Sequence, residues 1–285
     1  MAEETEEAFP GNEHRTGGQE TVPLRGLDHL HYVERDGIGL LTFNRPAVHN
    51  AISLATMAEL ERVLDWLEKD SEVGAMVLTG AGERSFVSGG DLKDFARLET
   101  HEAAAAMSHR MQSLLLRFEQ LAIPVIGAIN GDCLGGGCEV ALAADIRVVN
   151  EGVRFGFKQV ALGITPAWGG RRRLVRLVGR ARALTLLLSG DLLDAREAER
   201  IGLADQIVPR GEALAAAIEL ARRIAANPPL AVRAIKRAVN YDCATRDEKA
   251  IAFEADLFAK TWVSGDHQEA LAALREKRTP KFSGS

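Results

Sequence analysis

The chain is poor in cysteine, in aromatic residues and in unbroken apolar or basic runs, and each shortage argues against a class of function. Its three cysteines, Cys133, Cys138 and Cys243, have no paired-ligand spacing and leave one over, which argues against a disulfide framework or a cysteine-ligated zinc site. No apolar run reaches the roughly 18 residues that a membrane-spanning helix needs. The start, Met1-Ala-Glu-Glu-Thr-Glu-Glu, is acidic, whereas secretory and organellar leaders carry positive charge. A reducing cytoplasm is the expected location. The densest positive stretch, Arg171 to Arg173 with Arg176, sits inside a helical pattern in a chain of net charge -5. It reads as a solvated helix face or an acid-binding patch, so neither nucleic acid nor a membrane is expected as a partner. With aromatics at 5%, the core must come mainly from Ala, Leu, Val and Ile.

What is present suffices for one large domain or a core with an appendage: 285 residues, 46% hydrophobic and 26% charged. Residues 1–24 lack apolar periodicity and are expected to form a disordered acidic tail. Two strands follow, around His29 to Arg35 and Gly39 to Phe43, joined by Asp36-Gly37. Ser53 is a helix cap ahead of Leu54, Met57, Leu60, Leu64 and Leu67 at helical spacing. Further strands are expected at Val73 to Thr79, Pro124 to Ile129 and Ile146 to Val149, with a long helix from Thr100 to Leu121. This alternation predicts an α/β fold with parallel pairing. Asp194 and Glu197 mark a capped helix closed by Gly202. The core is expected to span 25–210, with a helical region over 211–285 that packs on the core or on a neighbouring subunit. The histidines read as solvent-facing or lightly packed.

The most informative segment is Asn130-Gly131-Asp132-Cys133-Leu134-Gly135-Gly136-Gly137-Cys138-Glu139. Consecutive glycines between a buried strand and a helix let backbone N–H groups approach a ligand where the helix dipole favours negative charge. A tight turn with no ligand is the plainer reading of Gly-Gly-Gly taken alone. A second glycine turn, in Ser88-Gly89-Gly90-Asp91-Leu92-Lys93, also follows a strand. Two such turns could aim two amides at one oxygen, as an enolate derived from a thioester requires. Glu139, three residues past Gly136, lies about one helical turn along on the same side.

With these residues in view the chain resembles the crotonase (enoyl-CoA hydratase/isomerase) superfamily from about residue 28 to about residue 282. The likeness rests on Asn44-Arg45-Pro46 with Asn50-Ala51, the two glycine turns, Gly163-Ile164 with Pro166, Gly169 and Gly170, Asp194-Ala195 with Glu197-Ala198 and Gly202-Leu203, and Glu276-Lys277-Arg278 with Phe282, all in order. The resemblance implies a crotonase-like spiral of ββα units with a C-terminal helical trimerisation region, hence a homotrimer or homohexamer. It implies an acyl-CoA substrate, with coenzyme A carried as part of that substrate and no separate cofactor or metal. It also implies catalytic roles for Glu139 and for the Gly90 and Gly136 amides as an oxyanion hole, and coenzyme contacts at Lys93, Lys277 and Ala51.

Two departures matter. The second family glutamate falls on Gln159, whose amide can orient water but cannot act as a general base, and a missing acid/base group typically costs about 10²- to 10⁴-fold. Pro166-Ala167-Trp168-Gly169-Gly170 places an indole where the hydratases have a small residue, so Trp168 and Ala167 are expected either to wall the acyl pocket or to pack in the core. With Ser88-Gly89 and with Pro228-Pro229 before Arg233-Ala234-Ile235-Lys236, Trp168 also gives a partial likeness to the ethylmalonyl-CoA decarboxylase branch. Three readings follow: an enoyl-CoA hydratase-like lyase with one catalytic glutamate, a decarboxylase of methylmalonyl- or ethylmalonyl-CoA, or a non-catalytic acyl-CoA-binding homologue.

Overall fold

The structure is a computed structural model that describes residues 20–69, 71–227, 229–243, 255–256, 258–260 and 262–281. The expected tail through residue 19, and Phe282, lie outside the described residues. At the end of the tail segment Thr21 bridges to Glu34, so backbone pairing begins before residue 25.

Strand β1 (Leu30–Arg35) turns at Asp36-Gly37, both at positive φ, into the antiparallel β2 (Ile38–Phe43). That backbone is the tight turn whose twist matches a hairpin. Helix α1 (Leu54–Lys69) opens where Ser53 Oγ accepts the Thr56 amide at 3.1 Å, as its sequence position predicts, and buries Met57, Leu60, Leu64 and Leu67. Strand β3 (Ala75–Gly80) follows, then the short β4 (Ser85–Val87), the single turn α2 (Leu92–Phe95) and the long α3 (His101–Gln120), capped by Thr100. The pattern then repeats: β5 (Val125–Ile129), β6 (Asp132–Leu134) and α4 (Gly136–Ala141). A third unit comprises β7 (Ile146–Asn150), β8 (Arg154–Gly156), a 3-10 turn at Lys158–Leu162, and α5 (Gly170–Ser189), kinked at Gly179.

In each unit the first strand joins one sheet and the second joins another. The six-stranded sheet has the order β1-β2-β3-β5-β7-β10, with β10 at Gln206–Val208, and is parallel except for β1 against β2. The four-stranded sheet has the order β4-β6-β8-β9, with β9 at Leu192–Asp194. Between β9 and β10 lies α6 (Ala195–Arg200), capped by Asp194 through a 2.8 Å bond from the Glu197 amide.

Side chains alternate along the large sheet as a pleat requires. Leu41, Phe43, Met76, Leu78, Val125 and Val149 pack with α1 and α3. Val33, Leu40, Val77, Ile126 and Val148 pack with Ala213, Ala217, Ile218 and Ala221 of α7 (Ala213–Ala225). The first C-terminal helix therefore completes the core of the sheet. Beyond it lie α8 (Pro229–Cys243) and α9 (Gly265–Glu276). One histidine differs from expectation: His267 at the start of α9 is fully buried, its ring 4.7 Å from that of Trp262 and its Nδ1 2.7 Å from the Leu162 carbonyl. Helix spacing alone does not reveal that α9 lies over the 3-10 turn.

Candidate active site

Parallel pairing of β4, β6 and β8 brings three strand ends to one edge, and each carries a residue singled out by the sequence. Gly90 lies three positions past β4, Gly136 two past β6 and Gln159 three past β8. Ligand sites in α/β folds gather at carboxyl ends of strands for this reason.

The first turn is fixed from behind. The Ile52 amide donates to Gly89 O and the Asp91 amide to Ile52 O, each at 2.8 Å. That pairing uses the groups flanking Gly90, so the alternation of an extended chain points Gly90's own N–H to the opposite side. Gly89 adopts φ +108, open to glycine but strained for other residues. Gly136 is the first residue of α4, where an N–H has no intrahelical acceptor. The two turns abut: a Cβ placed on Gly89 would stand 3.1 Å from Gly136 N. Both glycines line one cavity of about 280 Å³, together with Glu139, Gln159, Ala167 and Trp168.

Glu139 is 1% exposed, and its carboxylate accepts four hydrogen bonds. Oε2 takes the amides of Trp168 and Gly170, each at 2.8 Å. Oε1 takes the Ala167 amide at 3.2 Å and Gln159 Nε2 at 3.1 Å. Gly170 must be glycine here, since an added Cβ would lie 2.4 Å from Glu139 Cγ. Burial pushes the carboxyl above the usual glutamate range, while the amides of Gly170, Trp168 and Ala167 and the charge of Arg173 oppose that rise. Because the Gln159 nitrogen faces a carboxylate, its oxygen faces elsewhere, and among the described residues that buried Oε1 has no hydrogen-bond partner. The arrangement can exchange a proton at Glu139 and hold a donor at Gln159.

Trp168 is 3% exposed and lies directly against Gly136, whose added Cβ would meet the indole at 2.2 Å. Phe95 meets Trp168 edge-on at 6.5 Å between centroids, Trp262 meets Phe95 at 6.3 Å, and Phe258 meets Trp262 at 5.3 Å. The sequence reading named Trp168 for this wall but missed Phe95, Phe258 and Trp262, as well as the amide cage around Glu139. The available signal was the scarcity of aromatics, since four of them converge here. Lys158, also missed, lines the cavity and donates to Gly190 O at 2.5 Å.

The expected coenzyme contacts stand outside the cavity lining. Lys93 is exposed on α2, whose Leu92 and Phe95 line the cavity, and Lys277 is exposed at the end of α9, whose Leu274 lines it. Ala51 is buried, and its carbonyl already accepts Arg45 NH1 at 2.6 Å, while Arg45 NH2 pairs with Asp91 at 3.0 Å. Among the described residues no group of three or more His, Cys, Asp or Glu is arranged to hold a metal ion, and no helix is long and apolar enough to cross a membrane.

A spiral of strand-strand-helix units that delivers glycine turns and one buried carboxylate to an apolar cavity defines a crotonase-fold enzyme. A profile of the enoyl-CoA hydratase/isomerase family matches residues 34–285, and the chain belongs to that family. It is 40% identical to a short-chain-enoyl-CoA hydratase of Clostridium acetobutylicum, over 86% of this chain and 94% of that protein. It is 37% identical to a crotonyl-CoA hydratase of Syntrophomonas wolfei, over 87% and 95%. An enoyl-CoA hydratase structure from Bacillus anthracis superposes with a TM-score of 0.73 at 34% identity, covering 90% of this chain and all of that one.

Proposed function

We propose that this enzyme adds water across the double bond of a short 2-enoyl-CoA, with Glu139 as the single acid/base group. The observation that carries this reading is the placement of Glu139 and Gln159 in one apolar cavity with the Gly90 and Gly136 turns. The thioester oxygen would accept the two glycine amides, which favour the charge it gains in the enolate. Water held by the unpartnered Gln159 Oε1 gives a proton to Glu139 as its oxygen bonds to C3. Glu139 then returns that proton to C2. One carboxylate thus serves both halves of the addition, and the atoms balance without a second acid. Lys93 and Lys277, exposed on elements that border the cavity, are suited to the phosphates of the coenzyme. Self-association into a trimer or hexamer through the C-terminal helices, and a cytoplasmic location, belong to the same reading.

A second reading, decarboxylation of a branched malonyl-CoA, is favoured by the charges of the cavity. Among its described lining residues Glu139 is the one carboxylate and Lys158 the one cation, and that ammonium is a place for a substrate carboxylate. Loss of carbon dioxide would give the enolate directly. Incubation with crotonyl-CoA, followed by enone absorbance, tests hydration. Carbon dioxide release from methylmalonyl- or ethylmalonyl-CoA tests the alternative. Tight coenzyme binding with no turnover of any of these, unaffected by Glu139→Gln, would leave a non-catalytic binding protein.

A further inference from the structure

The loop whose amides grip Glu139 is itself held from behind, by two buried donors on different helices. Ser108 of α3, fully buried, donates from Oγ to the Ala167 carbonyl at 2.6 Å and accepts Gln112 Nε2 at 3.1 Å. The Ala167 carbonyl and the Trp168 amide belong to one peptide unit, so Ser108 pulls on its oxygen while Glu139 Oε2 takes its hydrogen. Arg173 of α5, 4% exposed, donates from NH1 to the Trp168 carbonyl at 2.8 Å, on the next peptide unit. Its Nε is bonded to Glu119 Oε1 of α3, and Arg172 NH2 reaches Glu119 Oε2 at 3.4 Å. Gly169 leaves room for this guanidinium, since an added Cβ would come within 2.6 Å of Arg173 NH1.

We propose that Ser108 and Arg173 are positioning residues for Glu139, locking the two peptide units between Ala167 and Gly169 so that their neighbouring amides keep converging on the carboxylate. The lock has two physical effects. In the Ala167–Trp168 unit, a peptide whose oxygen accepts a strong bond is a better donor at its nitrogen, because the two bonds polarise each other. A peptide anchored at its oxygen also cannot rotate to release Glu139 when a proton arrives. The charged groups around Glu139 are Arg173 from α5, Lys158 from the 3-10 turn across the cavity, and Glu119 of α3 behind Arg173, while the buried Cys138 thiol beside it is pushed up by burial. Arg173 acts on Glu139 by charge as well as through the peptide.

The inference rests on Glu139 being the acid/base group, and its test separates the two ideas. Protein labelled with 13C at glutamate carboxyls is titrated by NMR, with Glu139 assigned by its loss in Glu139→Gln. Arg173→Met is expected to raise the Glu139 midpoint by about one pH unit or more, Ser108→Ala by a smaller amount, and Arg173→Lys by less than Arg173→Met. The acid limb of kcat/KM for whichever thioester is turned over should move by the same amount, and Arg173→Met should add no further loss in the Glu139→Gln background. Unchanged midpoints in Ser108→Ala and Arg173→Lys, with only the melting temperature lowered, would overturn the proposal. Should Arg173→Met fail to fold, the neutral Ser108→Ala and the charge-keeping Arg173→Lys decide. If no thioester reacts, the proposed function fails while the titration still reads the lock.

Discussion

Gln159 donates its side-chain N–H to Glu139 Oε1 at 3.1 Å inside the cavity, and both side chains are buried. A neutral donor at this place favours the ionised carboxylate. A second carboxyl so close would instead share a proton with the first, because like charges in a desolvated site cannot both ionise.

Replacing Gln159 by Glu should therefore raise the acid limb of the pH profile by a unit or more. It should also speed hydration of crotonyl-CoA by about 10²- to 10⁴-fold, the typical worth of an added acid/base group. A slower enzyme with an unchanged profile would instead mean that the amide donor itself is needed.

Glu139→Gln should lower kcat by about 10²- to 10⁴-fold with little change in KM, read by steady-state kinetics. Burial raises the folded-state value of Glu139 above that of the unfolded chain. The rate in the parent enzyme should then start to fall, as pH drops, at a higher pH than an ordinary glutamate would give, and this limb should vanish in the variant. By linkage, the contribution of Glu139 to stability is fully present below the unfolded value and is lost as pH rises through the folded one.

The contact between Gly136 and Trp168 can be tested by a pair of substitutions. Gly136→Ala drives a methyl into the indole and should cost about 1–3 kcal/mol in stability, measured by denaturant unfolding. Adding Trp168→Ala should recover part of that loss, since the obstructing ring is gone. Equal losses added together would show that the two residues do not meet.

Trp168→Ala by itself should widen the acyl end of the cavity. The ratio of kcat/KM for an eight-carbon over a four-carbon enoyl-CoA is expected to rise about tenfold or more, the scale on which hydrophobic pockets discriminate chain length. An unchanged ratio would place the indole in the core with no role as a wall.

The half-buried Glu269 of α9 is held down to about 2 by Arg278 and by the Lys281 amide. Its folded value is depressed, so the tie is present above the ordinary glutamate value and is lost as pH falls toward 2. Amide exchange at residues 278–281 should accelerate over that range, and also in Glu269→Gln at neutral pH. Added salt should weaken the ion pair.

Much of the architecture was legible because it obeys local rules. The caps at Ser53 and Asp194, the turn at Asp36-Gly37 and the apolar strand Val125–Ile129 each follow from residue type and spacing. The cavity residues Gly90, Gly136, Glu139 and Gln159 could be named from motif order. Their surroundings could not: Ser108, Phe95 and Trp262 are far apart in the chain and carry no local mark.

By itself, then, the sequence determined the alternation of strands and helices, the two glycine turns, and the absence of a second carboxylate at position 159, since these depend on neighbours a few residues away. Tertiary structure alone decided that Glu139 is buried under four donors, that Trp168 leans on Gly136, and that His267 lies in the interior. Burial and hydrogen-bond partners are set by segments tens to more than a hundred residues apart, and only chain closure brings those segments together.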